Sequence, residues 1–158
     1  MKNTNHIGLD GIKSQQLTID LNALLADYQL FYMNTRGLHW NIKGENFFEL
    51  HLKFEELYNN LVLKIDEIAE RILTLGGTPV HSYSDYLKLS SVKEAKNISK
   101  GIEGVELIVD SFQKVILKQR EILKISGDAD DEGTNALMSD YIREQEKLIW
   151  MYTSYLNK

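Results

Sequence analysis

Long helical stretches broken by few chain-stopping residues constrain this sequence more than any other feature. Proline occurs once, at Pro79, and the informative glycines are Gly76-Gly77, Gly101/Gly104, Gly127 and Gly133. Between these breaks, residues 15–38, 46–75, 102–126 and about 131–156 carry apolar side chains at helical spacing, and strand-like alternation is absent. Asn46 with Glu49, Ser91 with Glu94, and Asp131 ahead of Thr134 fit helix N-caps. Gly76 and Gly127 stand where a left-handed C′ glycine closes a helix.

Four helices of about 22–30 residues, each about 35–45 Å long, predict an all-α four-helix bundle. The first and second helices, and the third and fourth, are joined by short loops and are expected to form antiparallel hairpins. About 25 residues join the second to the third, far above the usual helix–helix loop. That length permits a crossover along the bundle, the ferritin-like topology. Residues 84–89 are expected to form a short extra helix inside it. Residues 1–14 are expected to be a flexible N-terminal tail, and 15–158 one four-helix-bundle domain.

The chain has no cysteine, which excludes disulfides, thiolate metal sites and cysteine nucleophiles. A metal site must therefore be built from its four histidines and its carboxylates. A net charge of −5 over 158 residues disfavours a phosphate-binding surface. Neither a signal-like apolar run nor a membrane-spanning window is present, so a soluble cytoplasmic protein is expected.

The segment 46–75 is the most informative. With about 100° per residue and His51 at zero, Leu50, Phe54, Leu57, Leu61, Ile65, Ile68, Ile72 and Leu75 fall on one arc, the predicted core face. Lys53, Glu56, Asn60, Lys64, Glu67 and Arg71 fall opposite, the predicted solvated face. A third stripe holds His51, Glu55, Asp66 and Glu70 interleaved with Phe48, Leu52, Val62, Ala69 and Leu73. It reads either as an exposed flank with surface carboxylates or as a subunit interface carrying a metal site.

Axial distance bears on that choice. His51/Glu55 and Asp66/Glu70 are i,i+4 pairs, each able to share one ion. Glu55 and Asp66, however, lie about 16 Å apart along the axis, whereas ligand atoms sit only about 2.0–2.2 Å from a transition metal. The two pairs cannot grip one ion within one chain. They can do so when two copies pack antiparallel about a two-fold, which makes two identical sites.

The run His39-Trp40-Asn41, Gly44, Phe47-Phe48, Leu50-His51, Phe54-Glu55, Tyr58, Asp66-Glu67 and Ala69-Glu70-Arg71, followed by Gly76-Gly77, resembles the Dps family of small ferritin-like iron proteins. Asp131-Glu132-Gly133-Thr134 through Glu146-Lys147 to Trp150-Met151 extends the resemblance over nearly the whole chain after residue 16. It implies a ferroxidase site between two-fold related subunits, with His39 and His51 from one and Asp66 and Glu70 from its partner. Glu55 stands where the family commonly has Asp; it keeps the carboxylate and adds a methylene. Trp40 would sit beside the site, although on the sequence alone it reads as core packing at a helix end.

The resemblance further implies a hollow dodecamer that oxidises Fe(II), preferentially with hydrogen peroxide, and stores the Fe(III) as an oxyhydroxide mineral. Mixed imidazole and carboxylate ligands suit iron in both states. No Glu lies three residues before any His, so the Glu-x-x-His pairing of larger di-iron bundles is absent. His6 and His81 are expected at the surface. Asp128, Asp130, Asp131 and Glu132 form the densest acidic cluster; the resemblance makes it a candidate iron-access pore, and its position also suits a helix N-terminus. Asp140 is a further pore candidate, because Ala136 stands where many relatives carry an acid.

Family members that condense DNA do so with basic tails. Here the first sixteen residues carry only Lys2 and Lys13, offset by Asp10, and no basic run precedes Asn157-Lys158. Twelve acidic copies would face a polyanion, which predicts weak or absent DNA binding. The competing readings are a DNA-compacting protein with secondary ferroxidase activity and a helical assembly without iron chemistry.

Overall fold

The computed structural model describes residues 3–158. It contains α1 (Gly11–Asn41), α2 (Phe47–Thr74), α3 (Tyr83–Leu89), α4 (Gly101–Asp128) and α5 (Glu132–Tyr155). Among the described residues there is no strand, only an isolated bridge between Thr4 and Asp10. The four long helices form the expected bundle. The start of α4 meets the α1–α2 turn, where the Lys43 amide donates to the Ser99 carbonyl, and its end meets the start of α1, where Lys13 Nζ reaches the Asp128 carbonyl. Segment 75–100 therefore runs the length of the bundle and carries α3 against α1.

Leu17, Leu21, Leu24, Tyr28, Phe31, Phe54, Leu61, Ile68, Ile72, Val105, Phe112 and Met138 form the centre of the core, all almost fully buried. The predicted core arc of α2 is buried throughout except at Ile65, which is half-buried. A polar ring crosses this core. Tyr28 Oη donates to Gln119 Oε1 (2.5 Å), Gln145 Nε2 donates to Tyr28 Oη (2.5 Å), and Gln119 Nε2 donates to Gln145 Oε1 (2.7 Å). It joins α1, α4 and α5 with every group satisfied, as burial in a low-dielectric interior requires.

Several boundaries differ from the sequence reading, each for a local reason. The tail expected over 1–14 is not free of the fold: α1 begins at Gly11, capped by the Asp10 carboxylate, and Asn5 folds back to donate to Ser14 Oγ. Met1 and Lys2 lie outside the described residues. Asn46 does not cap α2; it sits at φ 61° and its side chain donates instead to Tyr155 Oη. Ser91 caps no helix either. Its amide and hydroxyl, with the Ser90 hydroxyl, donate to the buried Asp27 carboxylate, which ties the crossover to α1. α4 ends in a Schellman turn whose left-handed C′ residue is Asp130 (φ 57°), so Gly127 lies inside the last turn. Gly76, at φ 90°, does close α2. Asp131 caps α5 as expected, accepting from the Thr134 amide.

The face of α2 expected to be solvated is partly a seam against α5. Lys64 is 5% exposed and donates to Glu144 (2.7 Å) and Asn60 (2.9 Å), with its ammonium 5.0 Å from the Tyr141 ring centroid. Arg71 reaches Asp131 (2.6 Å) and Thr134 (2.9 Å). Long cationic side chains thus span the gap between these helices, where a groove of about 300 Å³ also opens.

Candidate metal centre

Antiparallel packing of α1 on α2 brings His39 and His51 together. Their rings stack with centroids 3.8 Å apart and planes 14° from parallel. Each Nδ1 bonds the other's backbone carbonyl: His39 Nδ1 to the His51 oxygen at 2.6 Å, and His51 Nδ1 to the His39 oxygen at 2.7 Å. A carbonyl oxygen can only accept, so both Nδ1 atoms carry the proton. In each neutral ring the lone pair then resides on Nε2, and among the described residues neither Nε2 makes a hydrogen bond. Phe47 stacks on His51 (5.1 Å) and Tyr58 sets its edge against His39 (5.3 Å), fixing ring orientation from both sides. Two imidazoles with one shared tautomer and unbonded Nε2 atoms have the chemistry to ligate a cation.

The carboxylates are arranged differently. Glu55 is half-buried one turn beyond His51, while Asp66 and Glu70 are exposed further along α2. None of the three carboxylates forms an ion pair or side-chain hydrogen bond among the described residues. Around them Phe48 is 86%, Leu73 58% and Leu52 52% exposed, and Val62 is uncovered as well. The third stripe of α2 thus faces outward in one chain. Among the described residues no three His, Asp or Glu side chains converge as a metal site. The chain by itself brings together His39 and His51; Glu55 lies one turn along α2, and neither it nor Asp66 or Glu70 completes a three-residue site with them.

Trp40 is corrected by the structure. It is 58% exposed rather than packed in the core, and the Arg36 guanidinium lies 4.8 Å from its ring centroid. One turn before His39 on the same face, Arg36 is a feature that sequence reasoning passed over. Its i−3 spacing from His39 is the signal that could have drawn attention to it.

Of the acidic cluster, Asp131 is buried. Its oxygens take the Thr134 amide, the Thr134 hydroxyl and the Arg71 guanidinium, so its role is structural. Asp128, Asp130 and Glu132 are exposed at the α4–α5 turn, and Asp140 is exposed and paired with Arg143. His6 and His81 are exposed, as expected.

Comparisons with known proteins agree with this fold. The ferritin-like domain family matches residues 20–158. The chain is similar to a DNA protection during starvation protein of Porphyromonas gingivalis, 44% identical over 94% of this chain and 95% of that one. The chain belongs to the Dps family. A Dps protein of Vibrio cholerae O1, described as a member of a broad superfamily of ferritin-like diiron-carboxylate proteins, superposes with a TM-score of 0.96. It is 58% identical over 99% of this chain and 98% of that one. Dps from Staphylococcus aureus superposes at 0.86 with 36% identity, over 90% of this chain and 95% of that one. The Dps fold therefore accounts for the four-helix bundle, the bundle-length crossover and the short α3 within it.

Proposed function

We propose that this chain assembles into a dodecameric ferroxidase cage that oxidises Fe(II), with hydrogen peroxide as the preferred oxidant, and stores the product as ferric mineral. The observation that carries the reading is the reciprocal His39–His51 pair, which presents two unbonded Nε2 atoms at the foot of an uncovered apolar stripe. Antiparallel packing of two α2 helices about a two-fold buries that stripe and sets Asp66 and Glu70 of the partner subunit opposite His51 and Glu55. The mixed set of two imidazoles and three carboxylates suits Fe(II) as the bound substrate and tolerates Fe(III) as the product. Two Fe(II) ions give one electron each to hydrogen peroxide, which takes two protons and leaves as two waters. That two-electron reduction releases no hydroxyl radical.

In this reading the protein's own groups divide the work. The histidines hold position through their backbone acceptors, the carboxylates draw the cation in, and the exposed indole of Trp40 stands beside the pair. Asp128, Asp130 and Glu132 supply an acidic turn suited to a pore through which cations pass, with Asp140 nearby. Such a cage would work in the cytoplasm. DNA binding is weak or absent, because the charge is net negative and the described N-terminal segment is folded against α1 rather than displayed as a basic arm.

The test is to mix metal-free protein anaerobically with Fe(II), add peroxide and follow ferric absorbance. Rapid oxidation with peroxide, slower oxidation with dioxygen and retention of iron on the cage are expected. A His51→Ala/Asp66→Ala double variant that oxidises iron at the wild-type rate would overturn the site. Size-exclusion chromatography yielding a monomer would overturn the intersubunit geometry. Retardation of plasmid DNA at neutral pH and moderate salt by stoichiometric protein would favour the DNA-compacting alternative.

A further inference from the structure

The chain has four arginines, and three have carboxylate partners: Arg71 with Asp131, Arg120 with Glu146 and Arg143 with Asp140. Arg36 has none. Its guanidinium sits in an aromatic cage, 4.8 Å from the Trp40 ring centroid, 5.5 Å from Tyr32 and 5.6 Å from Tyr58. Nη1 donates to Tyr32 Oη at 3.2 Å, whereas Nε is buried without any acceptor. Glu94 lines the same groove but forms no ion pair with it. Arg36 is half-buried, and only its Nε–H is cut off from water; a donor left unsatisfied in this way is costly unless an acceptor completes it. Stacking on aromatic faces leaves the in-plane donors of the fork available for a carboxylate.

Resting on the two-fold packing proposed above, the register supplies that carboxylate. Arg36 lies level with Tyr58 on α2. Antiparallel packing that sets His51/Glu55 against Asp66/Glu70 puts Tyr58 opposite Leu63 of the second copy. Asp66 is then one turn away, and Glu70 is about 10 Å away along the axis. We propose that Arg36 is a positioning residue that pairs across the two-fold with Asp66 of the partner subunit and orients its carboxylate toward the His39–His51 stack. The aromatic cage holds the guanidinium fork, and the fork holds the ligand. The three-residue spacing from Arg36 to His39 keeps both on one face of α1, so one helix delivers an imidazole ligand and the support for a ligand from the other chain.

Two measurements test it. The first is an experimental structure of the assembled metal-free protein, in which an Arg36 nitrogen is expected within 4 Å of the carboxylate of Asp66 of the partner subunit. An Arg36 that faces no carboxylate across the interface overturns the pairing. The second is anaerobic Co(II) titration followed by ligand-field absorption. Loss of a group that orients a metal ligand commonly weakens affinity about 10–100-fold, so Arg36→Gln is expected to weaken Co(II) binding by at least about tenfold. Arg36→Lys, which keeps the charge, is expected to recover part of that loss. Removal of a merely repulsive cation would instead tighten binding, so affinity equal to or tighter than wild type overturns the proposal. If Arg36→Gln does not assemble, the Lys variant and the wild-type structure still decide. If the wild-type protein shows the ion pair but binds no Co(II), the ferroxidase reading fails while the pairing stands.

Discussion

The Arg71–Asp131 lock offers a sharp test of how this bundle holds α2 in register. Arg71 follows Glu70 on α2, and its guanidinium reaches the capping carboxylate of α5 at 2.6 Å and the Thr134 hydroxyl at 2.9 Å. A methyl group at Gly133 would lie 2.8–2.9 Å from the guanidinium atoms, so the glycine makes room for the side chain. Arg71→Met keeps the apolar stem and removes the charge. The Asp131 side chain, 1% exposed, then loses the Arg71 guanidinium, its cationic partner among the described residues. Breaking a buried pair from one side costs about 3–5 kcal/mol. Asp131 retains the Thr134 amide and hydroxyl as donors, which puts the expected cost at the lower end, about 3 kcal/mol. For a chain of this length that is a fall in Tm of about 6–12 °C.

The assay is calorimetry at fixed protein concentration, because the proposed assembly would couple to unfolding. A double-mutant cycle with Asp131→Asn accompanies it. Asparagine still caps α5 and carries no charge, so the double variant is expected to lose less than the sum of the single ones. The coupling energy should be about 1–3 kcal/mol. An Arg71→Met protein within about 0.5 kcal/mol of wild type, or strictly additive variants, would refute the lock.

Tyr28→Phe leaves Gln119 Oε1 and Gln145 Nε2 without their phenolic partner inside the core; a loss of about 3 kcal/mol in urea unfolding is expected. Burial pushes the Tyr28 and Tyr141 phenols well above their ordinary value, with the Glu144 and Glu67 carboxylates adding to the shift. Their folded pKa values are raised, so the stability they contribute is present below about pH 10 and falls as pH rises above it. The slope is about 1.4 kcal/mol per pH unit for each phenol. Denaturant titrations between pH 9 and 12 should show this fall, and Tyr28→Phe should make it shallower by one phenol's share; a flat wild-type profile would contradict the burial argument. Asp27→Ala removes the acceptor for Ser90 and Ser91, and faster exchange or proteolysis of segment 90–100 is expected without loss of the four long helices.

The long-range plan of this molecule was legible because it rests on repetition. The core arc of α2 repeats through seven turns, so single ambiguities at Ile65 or Leu75 do not move it. The 75–100 connection is long enough to permit a crossover, and the structure has one. What escaped were single-residue decisions. Asn46 and Ser91 each sit in an acceptable capping pattern, yet one adopts a left-handed turn and the other is drawn to Asp27, sixty-four residues away. Helix-face arithmetic also treats Lys64 and Arg71 as solvated, because it counts charge without knowing that α5 offers Glu144 and Asp131 to meet them. The sequence singled out His39 and His51, but the reciprocal carbonyl bonds that set both tautomers require two helices in three dimensions.

The same distinction explains why the candidate centre reads as half a site. Every feature that a single chain can prepare is present: stacked imidazoles with assigned tautomers, a caged guanidinium and a half-buried Glu55. Every feature that needs a second copy is exposed, namely Asp66, Glu70 and the apolar residues between them. A helix evolved only to pack in its own bundle gains nothing from an 86%-exposed Phe48 beside two pre-oriented histidines. In the proposed assembly, burial of that stripe would supply the apolar driving force for association, and the proposed metal ligands lie along it. On that reading, assembly and ligand convergence depend on the same surface. A substitution such as Leu52→Lys, which touches no ligand, is accordingly expected to abolish both cage formation on size-exclusion chromatography and metal binding. A variant that remained monomeric yet bound Co(II) as tightly as wild type would separate the two and refute the shared-surface argument.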